Sequence, residues 1–191
     1  MSNPPALFTG WPKIHRLSRD IIITEKIDGT NAQVYIDEDG DVHAGSRTRW
    51  ITPTSDNFGF AAWVEANKAD LLNLGPGRHY GEWFGKGIQR GYGLQVRRFA
   101  LFNVIRWYDN AGVYNFVNAT DACPKCCTVV PTLFAGIFHS DNIEQTMAVL
   151  GYNGSCAAHN FMNPEGVVIY HTAANVSFKK TFANDAKGKP E

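Results

Sequence analysis

The sequence predicts an α+β domain built largely on antiparallel sheet. Three observations lead there: short apolar runs that alternate with polar residues, turn residues that punctuate those runs, and only two stretches with helical character. At 191 residues and 44% hydrophobic content the chain can bury one proper core.

The elements come in order along the chain. Ile21-Ile22-Ile23-Thr24 is apolar and β-branched and reads as a strand. Asn31–Asp37 reads as a second strand, with Ala32, Val34 and Ile36 on one face. Asp37-Glu38-Asp39-Gly40 is a turn, from which Asp41–Ser46 returns as a hairpin partner. Asp56 or Asn57 caps a helix running to about Leu72, and Gly75-Pro76-Gly77 ends it. Arg78–Phe84 and Phe99–Trp107 read as strands, separated by the glycine-rich, basic loop Gly85–Gly93. Asp109-Asn110-Ala111-Gly112 is a turn. Asp141 caps a second helix over about Asn142–Leu150, stopped by Gly151. Gly166–Tyr170 and Val176–Phe182 make a last hairpin, and Asn184–Glu191 is a polar, loose tail. Residues 1–183 are therefore expected to form a single domain.

Bulk properties narrow the function. Lys+Arg and Asp+Glu are both 18, which argues against a protein that simply coats nucleic acid but allows a local basic groove. Aromatic residues make up 13%, enough to serve core packing or base stacking. Met1-Ser2-Asn3-Pro4-Pro5 carries no apolar signal segment and no run reaches membrane-spanning length, so a cytoplasmic protein without a membrane partner is expected. The four cysteines are then expected to stay reduced.

The most informative segment is Lys26-Ile27-Asp28-Gly29-Thr30-Asn31, which sits between the first two strands. A lysine amine attacks only when its surroundings lower its pKa, as a fixed site beside other cations does. Lys-x-Asp-Gly also fits a surface hairpin turn, so the reading depends on the segments downstream of it. Glu25-Lys26-Ile27-Asp28-Gly29-Thr30-Asn31 resembles nucleotidyltransferase motif I in the form seen in RNA ligases of the phage RNA ligase 2 type. Ser46-Arg47 resembles motif Ia, Gly81-Glu82-Trp83-Phe84-Gly85 motif III, and Phe99–Val104 motif IIIa. Glu165–Tyr170 resembles motif IV and Ser177-Phe178-Lys179-Lys180-Thr181 motif V, all in the family's order.

That resemblance implies the nucleotidyltransferase (ligase adenylation domain, ATP-grasp-like) fold and an ATP-dependent RNA ligase using ATP and Mg2+. It makes Lys26 the adenylated nucleophile, and Arg47 and Lys179 neutralisers of phosphate charge. Glu82 would accept a ribose hydroxyl hydrogen bond, Phe102 would stack on adenine, and Glu165 would hold the magnesium. Glu25, Asp28, Gly29 and Asn31 complete the nucleotide site. The reaction implied is lysyl-AMP formation, AMP transfer to a 5′-phosphate, and sealing by a 3′-hydroxyl. Asn31 stands where DNA ligases usually place arginine, which favours RNA or nicked nucleic acid with ribose at the 3′ side. Arg90, Arg97 and Arg98 are candidates for a nucleic-acid backbone track.

The chain departs from the family pattern at Asn103, where an acidic residue is usual, and at Thr181, where a second lysine is usual; Lys187 is a candidate to supply that charge. Twelve residues follow Lys179 and carry no second domain, so sealing without a clamp, a partner clamp protein, or adenylyl transfer alone are all open. The alternative enzyme is DNA ligase-like or mRNA-capping-like. The non-enzyme alternative is a zinc-stabilised RNA-binding domain, from Cys123-Pro124-Lys125-Cys126 and Cys156-Ala157-Ala158-His159, about thirty residues apart.

Overall fold

A computed structural model describes residues 7–107 and 123–183. The expected turn at Asp109–Gly112, the tail from Asn184 and Lys187 lie outside the described residues.

Two sheets face each other. The first has four strands: β1 (Asp20–Lys26), β8 (Thr132–Ile137), β9 (Gly166–His171) and β10 (Val176–Thr181), ordered β10-β9-β1-β8 and antiparallel throughout. The second has six: β2 (Thr30–Ile36), β3 (Val42–Ser46), β4 (Trp50–Ile51), β5 (Gly77–Gly85), β6 (Arg97–Leu101) and β7 (Cys127–Val129), ordered β4-β3-β2-β5-β6-β7. Its single parallel pairing is β6 with β7.

The alternation of side chains divides the core into three bodies. Ile21 and Ile23 point from β1 towards Met147 and Leu150 of the long helix α4 (Ser140–Asn153). Ile22 points the other way, into the space between the sheets, with Ile27, Phe84, Tyr92 and Ala100. A strand buried on both faces has no polar face to keep, which accounts for the unbroken isoleucine run. Ala32, Val34 and Ile36 form the outer face of the six-stranded sheet and pack under Phe60, Ala61 and Val64 of α1 (Phe60–Ala66).

The helices differ in detail from their sequence signatures. Asp56 does cap α1: Oδ1 accepts the Ala61 amide at 2.8 Å and Oδ2 the Ala62 amide at 3.0 Å. The helix then breaks at Asn67 into α2 (Lys68–Leu71) and a 3-10 turn, Leu72–Leu74. At the long helix the cap is His139, whose Nδ1 accepts from the Asp141 amide, rather than Asp141 itself. Gly151 does not stop that helix; it runs on to Asn153 and ends at Gly154, where φ is +81°. The expected strand Phe99–Trp107 leaves the sheet at Phe102 and becomes α3 (Val104–Trp107). Arg106 of α3 donates to the Leu74 carbonyl, tying it to the end of the first helical segment.

Because Asp56 satisfies amides that the helix itself leaves orphaned, Asp56→Ala should lower stability by about 1–2 kcal/mol. Asp56→Asn should retain most of it. Urea unfolding of the three proteins is the measurement; equal midpoints for wild type and Asp56→Ala would remove the cap from the account.

Candidate active site: a lysine at the floor of an inter-sheet cleft

The chain passes from one sheet to the other through Ile27-Asp28-Gly29, the turn between β1 and β2. Ile27 is 4% exposed and anchors it in the inter-sheet core. Gly29 lies so close to β5 that a Cβ there would sit 2.5 Å from the Trp83 carbonyl oxygen and 2.8 Å from Phe84 Cβ. Its amide donates to Glu82 Oε1 at 3.0 Å, and the Asp28 amide donates to the Tyr92 hydroxyl at 2.8 Å. Arg90 completes the clamp. Its Nε lies 2.9 Å from Asp28 Oδ2, and its Nη1 donates to the Asn163 carbonyl at 3.1 Å and to Asn163 Oδ1 at 2.9 Å. The turn after β1 is thereby fastened to the loop that leads into β9.

That fastening sets Glu165 beside Lys26: Nζ and Oε2 are 2.7 Å apart, with each side chain about one-fifth to one-quarter exposed. A cleft of about 770 Å3 opens above the lysine, between the sheets. Thr24 and Lys26 enter it from β1, Asn31 from β2, Glu82 from β5, and Lys179 from β10. Arg47, just past β3, and Phe102, just past β6, stand at its walls. Phe102 is 41% exposed, so its ring faces the cleft instead of completing a core. Lys179 shares its face with Ser177, while Lys180 turns outward to Glu144 of α4 at 3.1 Å, as the period of a strand requires.

Glu82 carries the electrostatic tension of the site. Burial pushes its carboxyl up to about 7, with the Glu165 and Asp28 carboxylates adding to the shift; the Lys26 ammonium and the Gly29 amide oppose it. Its second oxygen accepts from Asn31 Nδ2 at 3.2 Å.

The structure brings Lys26, Asn31, Arg47, Glu82, Phe102, Glu165 and Lys179 to one place. Other expected residues have different tasks. Glu25 lines the cleft too, but it lies between Thr24 and Lys26 in a strand, so its carboxylate turns away from the lysine. Its Oε1 accepts from the Ser155 hydroxyl and its Oε2 from the amides of Cys156 and Ala157. Burial raises its pKa, and those hydrogen bonds partly offset the rise. Asp28 is taken up by Arg90. Arg90 is thus a latch within the fold, and Arg97 is likewise bound to the carbonyls of Lys86 (3.0 Å) and Phe58 (2.8 Å). Arg98 is exposed on β6. Tyr92 is a site residue that sequence reasoning misses. Its two flanking glycines, Gly91 and Gly93, are the available signal, since they mark a backbone held in unusual conformations; Tyr92 itself has φ +53°.

The two cysteine pairs are also separated. Cys126 and Cys127 pack with the outer core of the six-stranded sheet, whereas Cys156 stands at Glu25 on the other sheet. All four cysteines are free thiols, and among the described residues no group of three or more His, Cys, Asp or Glu could hold a metal. Among them, too, no helix is long and apolar enough to cross a membrane.

Two largely antiparallel sheets with few helices form the nucleotidyltransferase fold of RNA ligases. The RNA ligase family profile matches residues 19–182, and the chain belongs to that family. Solved structures of Naegleria gruberi RNA ligase share the fold. One, a mutant with ATP and manganese, is 21% identical with a TM-score of 0.59, covering 86% of this chain and 49% of that one. Another, with pyrophosphate, is 21% identical with a TM-score of 0.59, over 86% and 50%. A third, a mutant with AMP and manganese, is 22% identical with a TM-score of 0.57 over the same shares. The chain thus spans about half the length of these structures. No curated protein sequence matches it.

The Glu82 shift has a definite sign. Its carboxyl in an unfolded chain titrates near 4.5 and in the fold near 7, so between those values the folded state binds the extra proton. Stability contributed by Glu82 is therefore full below about pH 4.5 and falls as pH rises to about 7. Glu82→Gln should remove this slope, so the variant gains on wild type across that interval. Urea unfolding of both proteins between about pH 4 and about pH 8 reads the difference; parallel curves would mean an ordinary carboxyl.

Proposed function

We propose that this chain is an ATP-dependent RNA ligase domain working through a lysyl-AMP intermediate on Lys26. The observation that carries the reading is the convergence of Lys26, Glu82 and Glu165 at the floor of a cleft whose walls hold Arg47, Lys179 and Phe102.

The chemistry runs in three steps. Lys26 Nζ, after losing a proton, attacks the α-phosphorus of ATP; an N–P bond forms, the α–β bridging P–O bond breaks, and pyrophosphate leaves. An oxygen of an RNA 5′-phosphate then attacks the same phosphorus, forming a 5′–5′ pyrophosphate linkage and returning the lysine. A 3′-hydroxyl finally attacks the 5′-phosphorus, forming the phosphodiester and releasing AMP.

The chain's residues suit these steps. Lys26 is held by Glu165 at 2.7 Å, so its amine has one direction of approach. Arg47 and Lys179 place fixed positive charge where phosphate charge shifts. Glu82 keeps one acceptor on the Gly29 amide, which holds the turn below the lysine, and offers the site a carboxyl that changes charge near neutrality. Phe102 presents a half-exposed π face for a purine. Glu165 and Glu82 supply hard carboxylate oxygens beside the lysine, too few for an all-protein cage. That donor set fits Mg2+, which prefers to keep waters and substrate phosphate oxygens. When bound, such an ion supplies charge neutralisation to the triphosphate.

With ATP and Mg2+ the intact protein should gain the mass of one AMP through an acid-labile bond. Lys26→Ala and Lys26→Arg should both fail, because arginine stays protonated. Labelling that persists in both would overturn the reading, and labelling by GTP in place of ATP would move the chain towards capping-type chemistry.

A second measurement addresses Phe102. Phe102→Leu keeps apolar bulk but loses the flat ring, so half-maximal adenylation should need about fivefold more ATP, in line with roughly 1 kcal/mol of lost stacking. Phe102→Tyr should behave nearly as wild type. Identical behaviour of Leu and Tyr would make Phe102 packing alone.

A further inference from the structure

The inward face of the six-stranded sheet does not end where the cleft ends. Cross-strand register lays its side chains out in rows. Phe102, whose amide bonds the Tyr80 carbonyl at 2.9 Å, begins one row; Tyr80 pairs with Gln33, Gln33 with Gly45, and Gly45 with Trp50. The next row is Arg78, Tyr35 and His43. Residues directly opposite share a face, so both rows lie on the surface that carries Glu82 and Asn31.

The rows form one aromatic and cationic platform. Tyr35 stacks on His43 with ring centres 5.8 Å apart, and Trp50 lies 5.9 Å from Tyr35. The Arg78 guanidinium stands over both rings, 4.6 Å from the Tyr35 centre and 5.3 Å from the Trp50 centre. Arg78 also donates to Gln33 Oε1 at 3.1 Å, fixing the amide between the two rows. Asp37, an acid beside the platform, is engaged by His43 at 3.2 Å. Yet Tyr80 is 53% and Trp50 50% exposed. Trp50 is thus both half-open and held under the Arg78 guanidinium, and Tyr80 stands open beside it in the same row, a surface prepared for contact.

We infer that this platform receives the single-stranded end of the polynucleotide substrate, with bases stacked on Trp50 and Tyr80 and the backbone drawn by Arg78 and Arg47. Continuity with the cleft supports that occupant. From Phe102 to Trp50 the row crosses four strand intervals, about 19 Å at the usual spacing, which is room for a few nucleotides leading away from the lysine. The chemistry supports it as well: flat π faces accept any base, and guanidinium accepts phosphate. Of the residues expected from the sequence to form a backbone track, Arg90 and Arg97 are bound to the protein's own oxygens.

The inference rests on the ligase reading for its direction, but its test is separable. The full-length chain is titrated against a fluorescent single-stranded RNA oligonucleotide by anisotropy, and Lys26 adenylation is followed by intact mass in parallel. Tyr80→Leu and Trp50→Leu should each weaken RNA binding about tenfold, a loss typical of one stacked base, while adenylation stays at the wild-type level. Trp50→Phe, which keeps a ring on the same strand, should bind nearly as wild type and shows that the hairpin itself is intact. Arg78→Gln should reduce the slope of log affinity against log salt by about one. Unchanged RNA affinity in both Leu variants would overturn the inference, as would a loss of self-association in place of RNA binding, which would make the face a protein contact. Platform-dependent RNA binding in a protein that ATP never labels would leave the inference standing and remove the ligase mechanism.

Discussion

Everything at the site depends on how the chain crosses from one sheet to the other at Asp28-Gly29. Two sheets that face each other need one connection that is tight, because slack there would let the cleft change width. The crossing is held from three sides: Glu82 from β5, Tyr92 from the glycine-rich loop, and Arg90 through Asp28 to Asn163. The last of these matters most for chemistry, because Glu165 lies two residues beyond Asn163. One guanidinium therefore sets the distance between the lysine and its carboxylate partner from outside the cleft. A charge pair at 2.7 Å between partly buried groups is sensitive to misplacement.

The carboxylates illustrate how burial assigns different work to the same functional group. Glu25 and Glu82 are both nearly excluded from water, and burial raises the pKa of each. Glu25 is met by a hydroxyl and two amides, an arrangement that positions the segment after α4. Glu82 meets one amide from the crossing and one side-chain amide, with a lysine and two further carboxylates nearby, and is left poised near neutrality. The first is a fastening; the second is a group that can respond to what enters the cleft.

Much of this is legible in the sequence where a short-range rule decides. The isoleucine run of β1, the hairpin of β2 and β3, and the closing hairpin β9–β10 all follow from period-two patterning and turn residues. Lys179 is separable from Lys180 by the same rule. The illegible features are long-range. Strands β7 and β8 carry Cys, Thr and Gly among their apolar residues and give no clean alternation, so their pairing with β6 and β1 is invisible. The helix boundary at Gly151 fails because packing against the sheet outweighs one glycine's cost. Arg90 and Arg97 look like free cations because no sequence rule says that a loop will fold back on Asp28 or on the Phe58 carbonyl.

The same period of two that turns the Glu25 carboxylate away from Lys26 makes the cleft and the outer platform one continuous surface. Residues 31, 33 and 35 of β2 and 78, 80 and 82 of β5 alternate with a buried outer set, so a strand that presents Asn31 and Glu82 to a nucleotide must also present Gln33, Tyr35, Arg78 and Tyr80 further along. A slip of one residue in either strand would bury the arginine and expose the valine and isoleucine that pack under α1. The hydrophobic core on the far side thus fixes the register, and the register fixes which polar and aromatic groups line the path to the lysine. Core packing and substrate path are, in this sheet, two faces of a single constraint.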